Sequence, residues 1–190
     1  VMSVGEPKDV TPGDRDAYPT STTFSVGDDF TFSPDGSHLV FTAVPETGEA
    51  WTTNYDICRV PVTGGTTKWE LVVSGNTAAD SAPQFSRDGK KLAFRQQRKP
   101  TYEADKWELM IADANGDGSL VGKPKSVTKE IDRSADGFVW ATDGVIYFTA
   151  DHQGATAIFR CDTATGKTAP VSAGGNNGSL SFGGGKMAQT

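Results

Sequence analysis

Phe32-Ser33-Pro34-Asp35-Gly36-Ser37-His38-Leu39-Val40-Phe41 is the stretch that decides the fold, because it occurs again further along the chain. A close copy is Phe85-Ser86-Arg87-Asp88-Gly89-Lys90-Lys91-Leu92-Ala93-Phe94, and a looser one is Trp140-Ala141-Thr142-Asp143-Gly144-Val145-Ile146-Tyr147-Phe148. A fourth, degenerate copy begins at Ser179. The leading aromatic residues of the four copies are 53, 55 and 42 residues apart, and such periods are typical of repeat architectures.

Each copy predicts a β-hairpin. The leading aromatic residue ends one strand, the Asp-Gly segment forms the turn, and the apolar run that follows begins the next strand. Pro34 suits the second position of a type I turn, and Gly36 can adopt the positive φ that returns the chain to the ladder.

A second hairpin follows each copy. Third strands are predicted at 56–60, 107–111 and 157–161, and fourth strands at 69–73, 125–127 and 168–171, because these segments are rich in β-branched, aromatic and apolar residues and are separated by glycine turns. Four short antiparallel strands in a repeated unit form the blade of a propeller. The sequence therefore predicts an all-β fold without long helices: a partial β-propeller of about three four-stranded blades.

The blade boundaries follow from the repeat. Residues 24–73, 81–128 and 137–172 are predicted as whole blades, residues 1–11 as the end of a preceding blade, and residues 179–190 as the start of the next. About three blades with a half-blade at each end are fewer than the four to eight that usually close a propeller. Either the two half-blades combine into a fourth blade, or two chains pair their open edges in a homodimer.

The composition excludes several classes of function. A net charge of −6 and a pI near 4.9 argue against binding to nucleic acids or anionic membranes, and the one basic run, Arg95, Arg98 and Lys99, is interpreted as a solvated loop. The absence of a long apolar run or a signal-peptide pattern predicts a soluble chain without membrane contact, and leaves periplasm and cytoplasm both open. Cys58 and Cys161 lie in apolar strand segments and are interpreted as buried thiols.

No catalytic residue, metal ligand or cofactor is predicted. The only histidines are His38 and His152, and nothing in the sequence places either beside a nucleophile. Ser179-Leu180-Ser181-Phe182-Gly183 resembles a nucleophile elbow, but a glycine run follows it, so a first blade strand is favoured. Asp113–Ser119 opens like a calcium loop, yet its twelfth position is Pro124, which favours a polar hairpin turn.

The segment Tyr102–Trp107 contains the candidate binding residues. Glu103 and Asp105 lie beside aromatic residues just before a predicted strand, and carboxylates on a propeller loop could hold the free amine of a peptide substrate. The alternative interpretation is an acidic, solvated loop that Trp107 fixes to the blade.

Three longer runs carry a family resemblance: Asp9–Ala17, Phe24–Gly36 and Tyr102–Trp107. They resemble the propeller of bacterial acylaminoacyl-peptidase and dipeptidyl-aminopeptidase-like enzymes of the prolyl oligopeptidase family. The resemblance implies a following C-terminal α/β-hydrolase domain that supplies the serine, aspartate and histidine. It also implies a propeller that admits short peptides to the active site, with loops that in some members bind the substrate's N-terminus.

The resulting hypothesis is the non-catalytic propeller portion of a serine exopeptidase, whose partners are the hydrolase domain and, through the full-length enzyme, a peptide substrate. The 190-residue chain alone is then expected to be inactive. The alternative is a stand-alone propeller scaffold that binds proteins, as Tol-type propellers do.

Overall fold

The computed structural model describes residues 5–12, 29–44, 53–64 and 68–171, and every regular element in these ranges is a β-strand. The strands are β1 Phe30–Phe32, β2 His38–Ala43, β3 Asp56–Pro61, β4 Glu70–Leu71, β5 Asp80–Phe85, β6 Lys91–Gln96, β7 Glu108–Ala114, β8 Leu120–Ser126, β9 Phe138–Thr142, β10 Val145–His152, β11 Ala155–Asp162 and β12 Thr168–Pro170. They form three four-stranded antiparallel sheets in which sequence neighbours pair: sheet 1 (β1–β4), sheet 2 (β5–β8) and sheet 3 (β9–β12). The all-β prediction and the four-stranded blade prediction are confirmed.

The repeated decapeptide forms the hairpin that the sequence predicts. In sheet 1 the Ser33 N–H donates to the His38 carbonyl at 2.8 Å, and the Gly36 N–H donates to the Ser33 carbonyl at 2.8 Å. Gly36 has a φ of +72°, a left-handed conformation that favours glycine. Asp35 completes the turn because its Oδ1 accepts the backbone N–H of Ser37 at 2.8 Å.

The fourth strands differ from the prediction. β4 contains two residues instead of five. The Val72 N–H still donates to the Ile57 carbonyl at 2.8 Å, but the Val73 N–H turns to the same carbonyl at 3.4 Å, so the regular ladder ends there. β8 begins at Leu120, five residues earlier than predicted, and its register with β7 shifts between Ile111 and Asp113. Gly122, with a φ of +80°, lies in this shifted part of the strand.

The core lies between the sheets rather than within one of them. Val40 and Ile57 of sheet 1 pack against Leu92, Phe94 and Met110 of sheet 2. A larger cluster joins sheets 2 and 3, with Leu109 and Ile111 on one side and Phe138, Trp140, Ile146, Phe148 and Phe159 on the other. The three sheets therefore pack face to face in chain order, as successive blades do.

Both cysteines are buried, as predicted, and neither forms a disulfide bond. Cys58 lies in β3 and Cys161 in β11. Burial raises the pKa of Cys161, so this side chain behaves as a small hydrophobic residue.

The predicted ends of the chain fall largely outside the described residues, which contain neither 1–4 nor the fourth copy at 179–190. Residues 8–11, which belong to the predicted end of a preceding blade, form no strand: Lys8 Nζ donates to the Thr63 carbonyl, and Val10 packs against a buried cluster of sheet 1 that contains Phe41 and Val60. The half-blades and their closure stay predictions. No helix in the described ranges is long and apolar enough to cross a membrane.

Candidate functional site

The loop that joins β6 to β7, residues 97–107, carries both candidate residues, and a buried side chain shapes it from inside. The Gln97 amide is buried, and its Nε2 donates to the carbonyl oxygens of Glu103 at 2.9 Å and Asp105 at 2.8 Å. This bridge draws the distal part of the loop back onto the end of β6. The loop is therefore an ordered projection of sheet 2.

Asp105 uses its carboxylate to close the loop. Oδ2 accepts the backbone N–H groups of Arg98 and Lys99, each at 2.8 Å. Burial alone would raise the pKa of Asp105, but these backbone donors outweigh it and the pKa lies below its usual value. The carboxylate oxygen that holds the loop is committed to these contacts.

Glu103 is exposed, and only its backbone carbonyl takes part in the loop structure. No salt bridge within the described residues involves its carboxylate. Of the two candidates, Glu103 is therefore the one whose carboxylate is available to a ligand. The substrate-binding role of both residues stays a prediction.

The base of the loop is held by a buried acid. Glu108 accepts a bidentate contact from Arg98, with Nε to Oε1 at 3.0 Å and Nη2 to Oε2 at 2.8 Å, and Lys106 Nζ lies 3.4 Å from Oε1. Burial would raise the pKa of Glu108, but the Arg98 and Lys106 charges and hydrogen bonds lower it overall.

A buried arginine lies beside the loop, and it corrects one sequence interpretation. The sequence interpretation places Arg95 in a solvated loop, but Arg95 lies in β6 with a relative exposure of 2%, and its guanidinium stacks 4.7 Å from the centre of the Trp107 ring. The prediction failed because β6 is covered on both faces. The solvated interpretation holds for Lys99, which is exposed.

The Arg95 charge is balanced by acids from the two other sheets. Its Nη2 donates to Ser81 Oγ at 3.1 Å. Burial lowers the pKa of Arg95, and the carboxylates of Asp29, just before β1, and Asp136, just before β9, oppose that shift. Burial raises the pKa of Asp136, whereas Arg95 opposes that shift. We call Asp29, Arg95 and Asp136 the arginine cluster. It joins all three sheets at the end from which the 97–107 loop projects.

Asp35, Ser37 and His38 come together without forming a catalytic triad. Ser37 Oγ lies 2.6 Å from Asp35 Oδ1 and 2.7 Å from His38 Nδ1. The serine stands between the acid and the imidazole, whereas a triad places the imidazole between serine and acid. The hydrogen bonds of Ser37 instead hold the turn between β1 and β2 in place. His152, the other histidine, accepts a hydrogen bond from Arg133 Nη1 at 2.7 Å on Nδ1.

The calcium-like segment is a hairpin turn, as predicted. Asp117 accepts hydrogen bonds from Ser119 N at 3.0 Å and Oγ at 2.7 Å and pairs with Arg59 at 2.8 Å, while Asp113 pairs with Lys91 at 2.7 Å. These contacts hold the pKa of Asp117 well below its usual range. Nowhere in the described ranges do three or more His, Cys, Asp or Glu side chains converge as a metal site. The elbow-like segment at Ser179 lies outside those ranges.

Known proteins are similar to this chain in sequence and in fold. No family model matches the chain. The chain is 31% identical to a dipeptidyl-peptidase 5 from Porphyromonas gingivalis over 170 residues, which cover 88% of this chain and 24% of that protein. It is 30% identical over 165 residues to a dipeptidyl-peptidase 5 from Aspergillus fumigatus, covering 82% of this chain and 22% of that protein. The chain thus spans about a quarter of the length of these curated relatives.

A puromycin-hydrolyzing peptidase from Mycobacterium tuberculosis superposes with a TM-score of 0.60 at 21% identity, over 77% of this chain and 23% of the other. Consecutive four-stranded antiparallel sheets that pack in chain order define a set of β-propeller blades. By partial homology and by fold, the chain corresponds to the propeller region of prolyl-oligopeptidase-family peptidases.

Proposed function

We propose that this chain is the non-catalytic propeller portion of a serine exopeptidase, where it limits access to the active site and helps to position short peptides. The observation that carries the proposal is the match to dipeptidyl-peptidase 5 over 88% of the chain. In the full-length enzyme a C-terminal α/β-hydrolase domain supplies the serine, histidine and acid for acyl transfer. The propeller contributes selection of the substrate rather than chemistry.

The positions of the two histidines support a propeller that takes no part in the chemical step. It contains two histidines in all, and both ring Nδ1 atoms are engaged, His38 with Ser37 and His152 with Arg133. Neither imidazole is held between a serine and an acid as general-base catalysis requires. We therefore expect the 190-residue chain to hydrolyse no chromogenic dipeptide or acyl-amino-acid substrate. Turnover that a serine-directed reagent abolishes would contradict the proposal.

Glu103 is the residue through which the propeller would contact substrate. An exopeptidase that releases dipeptides must recognise a free ammonium group, and an exposed carboxylate on an ordered loop provides a charge-assisted acceptor for it. In the full-length enzyme, we expect Glu103→Gln to raise KM for a dipeptide substrate about 10-fold while kcat is nearly unchanged. An N-acylated substrate should show no such effect, because it carries no ammonium.

The matched control is Glu130→Gln, which removes another exposed carboxylate, outside the 97–107 loop. If Glu103→Gln and Glu130→Gln have the same KM for the dipeptide substrate, Glu103 has no role in binding. The wider proposal is tested separately by removing the propeller from the full-length enzyme. The remaining hydrolase should then cleave longer peptides that the intact enzyme excludes.

The alternative, a stand-alone scaffold for protein binding, shares the same fold. A protein assigned as TolB from Agrobacterium tumefaciens superposes with a TM-score of 0.54 at 18% identity, over 77% of this chain and 46% of the other, which is a likeness of fold alone. Sequencing the gene beyond Thr190 separates the two functions. A Gly-x-Ser-x-Gly motif followed by aspartate and histidine supports the peptidase, and further blades followed by a stop codon support the scaffold.

A further inference from the structure

A cleft of about 560 Å³ lies between the outer parts of sheets 1 and 2. One wall is the segment from Leu71 to Asn76, which follows the short strand β4. The other wall is the segment from Ser119 to Pro124, where β8 shifts register at Gly122. The volume is within the range of about 300–1,000 Å³ that small-molecule sites occupy. The lining of the cleft does not include Glu103.

The lining of the cleft is mixed, with an apolar side next to serine, asparagine and glutamine side chains. Leu71, Val73, Met110 and Leu120 contribute to its lining. Val73 and Met110 are buried in the core between the sheets, whereas Leu71 is 51% exposed at the opening. An apolar group that enters the cleft would therefore cover Leu71 and rest on side chains that the core already holds in place.

Two amides in the lining are fixed by a buried acid. Gln96 Nε2 donates to Asp80 Oδ1 at 2.7 Å. Asn76 Nδ2 lies within hydrogen-bond distance of the same Oδ1 at 3.1 Å, and of the carbonyl oxygens of Ala78 and Gln97 at 3.0 and 3.1 Å. Their N–H groups are thus engaged within the protein, and this part of the cleft is rigid.

Lys123 is the single charged residue in the lining. It lies on β8 and forms no salt bridge or hydrogen bond with any described residue, in contrast to Lys91 and Lys106, which both pair with acids. A cation at the rim of the cleft, without a partner among the described residues, favours a negatively charged ligand group by local charge complementarity.

We propose that this cleft binds a small ligand made of an apolar chain that ends in a carboxylate, with the carboxylate against Lys123 Nζ and the chain on Leu71, Val73 and Leu120. Two sources share this chemistry: the C-terminal apolar residue of a short peptide, and a fatty acid. The proposal rests on the cleft and its charge and is independent of the proposed peptidase function.

Isothermal titration calorimetry of the 190-residue chain tests the proposal with three probes: N-acetyl-leucyl-leucine, its C-terminal amide, and octanoate. We expect at least one of the two acids to bind with one-to-one stoichiometry, and the amide to bind at least about 10-fold more weakly than the peptide acid if that acid binds. Binding of the peptide acid alone identifies a peptide C-terminus as the source, and binding of octanoate alone identifies a fatty acid.

Variants connect the binding to the cleft. Lys123→Ala should weaken binding of the acid about 10-fold, whereas Lys125→Ala, an exposed lysine on the same strand outside the lining, should have no effect. Leu71→Asp places a negative charge at the opening and should abolish binding, and its partly exposed position keeps the fold, which circular dichroism checks. The proposal is overturned if no acid binds, if amide and acid bind equally, or if Lys123→Ala and Lys125→Ala behave alike.

Discussion

Asp80 is a buried acid whose titration should dominate the pH dependence of stability above pH 4. It begins β5 and is fully buried, and burial raises its pKa to about 8 from 3.8, with the nearby Asp56 adding to the shift. Hydrogen bonds from Gln96 and Asn76 to Oδ1 oppose this rise without cancelling it. Oδ2 is buried with no hydrogen-bond partner in the described structure, which is consistent with a protonated carboxyl group.

The sign of the effect follows from proton binding. Between pH 4 and pH 8 the folded state keeps the proton on Asp80, while the unfolded state has lost it. The contribution of Asp80 to stability is therefore greatest below pH 4, and it falls as the pH rises towards 8. Each pH unit in this interval costs about 1.4 kcal/mol, or about 3 kcal/mol between pH 5 and pH 7. That is a large share of the roughly 5–15 kcal/mol that stabilises an ordinary domain.

Asp80→Asn removes the ionisable group and keeps the shape of the side chain. Urea unfolding of both proteins at pH 5, 6 and 7, followed by tryptophan fluorescence, gives the free energy of unfolding of each. The free energy of unfolding of the variant, relative to that of the wild type, should rise by about 1.4 kcal/mol per pH unit. Asp132→Asn, which changes an exposed acid, should follow the wild type. A difference between Asp80→Asn and wild type that stays constant from pH 5 to pH 7 would refute a raised pKa at Asp80.

Two further predictions concern contacts between sheets. A methyl group at Gly89 (φ +71°) would lie 2.6 Å from Pro34 Cβ, whereas Gly36 (φ +72°) has open space around it. Gly36→Ala should therefore cost about 1 kcal/mol of unfolding free energy and Gly89→Ala clearly more; equal losses in urea unfolding would exclude the clash. Arg95→Met leaves two acids without their cation and should cost about 3–5 kcal/mol, whereas Lys91→Met, at a surface pair, should leave the melting temperature unchanged. A small loss for Arg95→Met would show that the arginine cluster contributes little.

The hairpins and third strands could be predicted from the sequence because their signals are local. The Asp-Gly turns fix where β2 and β6 begin, and apolar content marks β3, β7 and β11. The fourth strands could not be bounded in this way. β4 ends early because Val72 and Val73 enter the core, and β8 starts early through a bulge, and both events depend on contacts with other strands.

The arginine cluster was missed, although the repeat contains a signal for it. The residue after the closing aromatic of each copy is Thr42, Arg95 or Thr149, and all three are buried. Aligning the copies would have shown one arginine at a position that holds threonine elsewhere. Its partners Asp29 and Asp136 lie outside the decapeptide, so nothing in the repeat itself indicates that their carboxylates favour its charge.

Polar residues that differ between copies can explain why the sheets pack in one order. Burial of apolar surface is not directional, so it specifies the neighbour of each sheet less strictly than a polar contact does. Where sheets 2 and 3 meet, Gln84 and β9 exchange two hydrogen bonds: Gln84 Nε2 donates to the Phe138 carbonyl at 3.0 Å, and Trp140 Nε1 donates to the backbone carbonyl of Gln84 at 3.1 Å. The equivalent of Gln84 in sheet 1 is Thr31, whose side chain lacks an amide. If sheet 1 packed against sheet 3 in place of sheet 2, the hydrogen bond from the Gln84 side chain would be lost. This contact therefore favours sheet 2 as the neighbour of sheet 3.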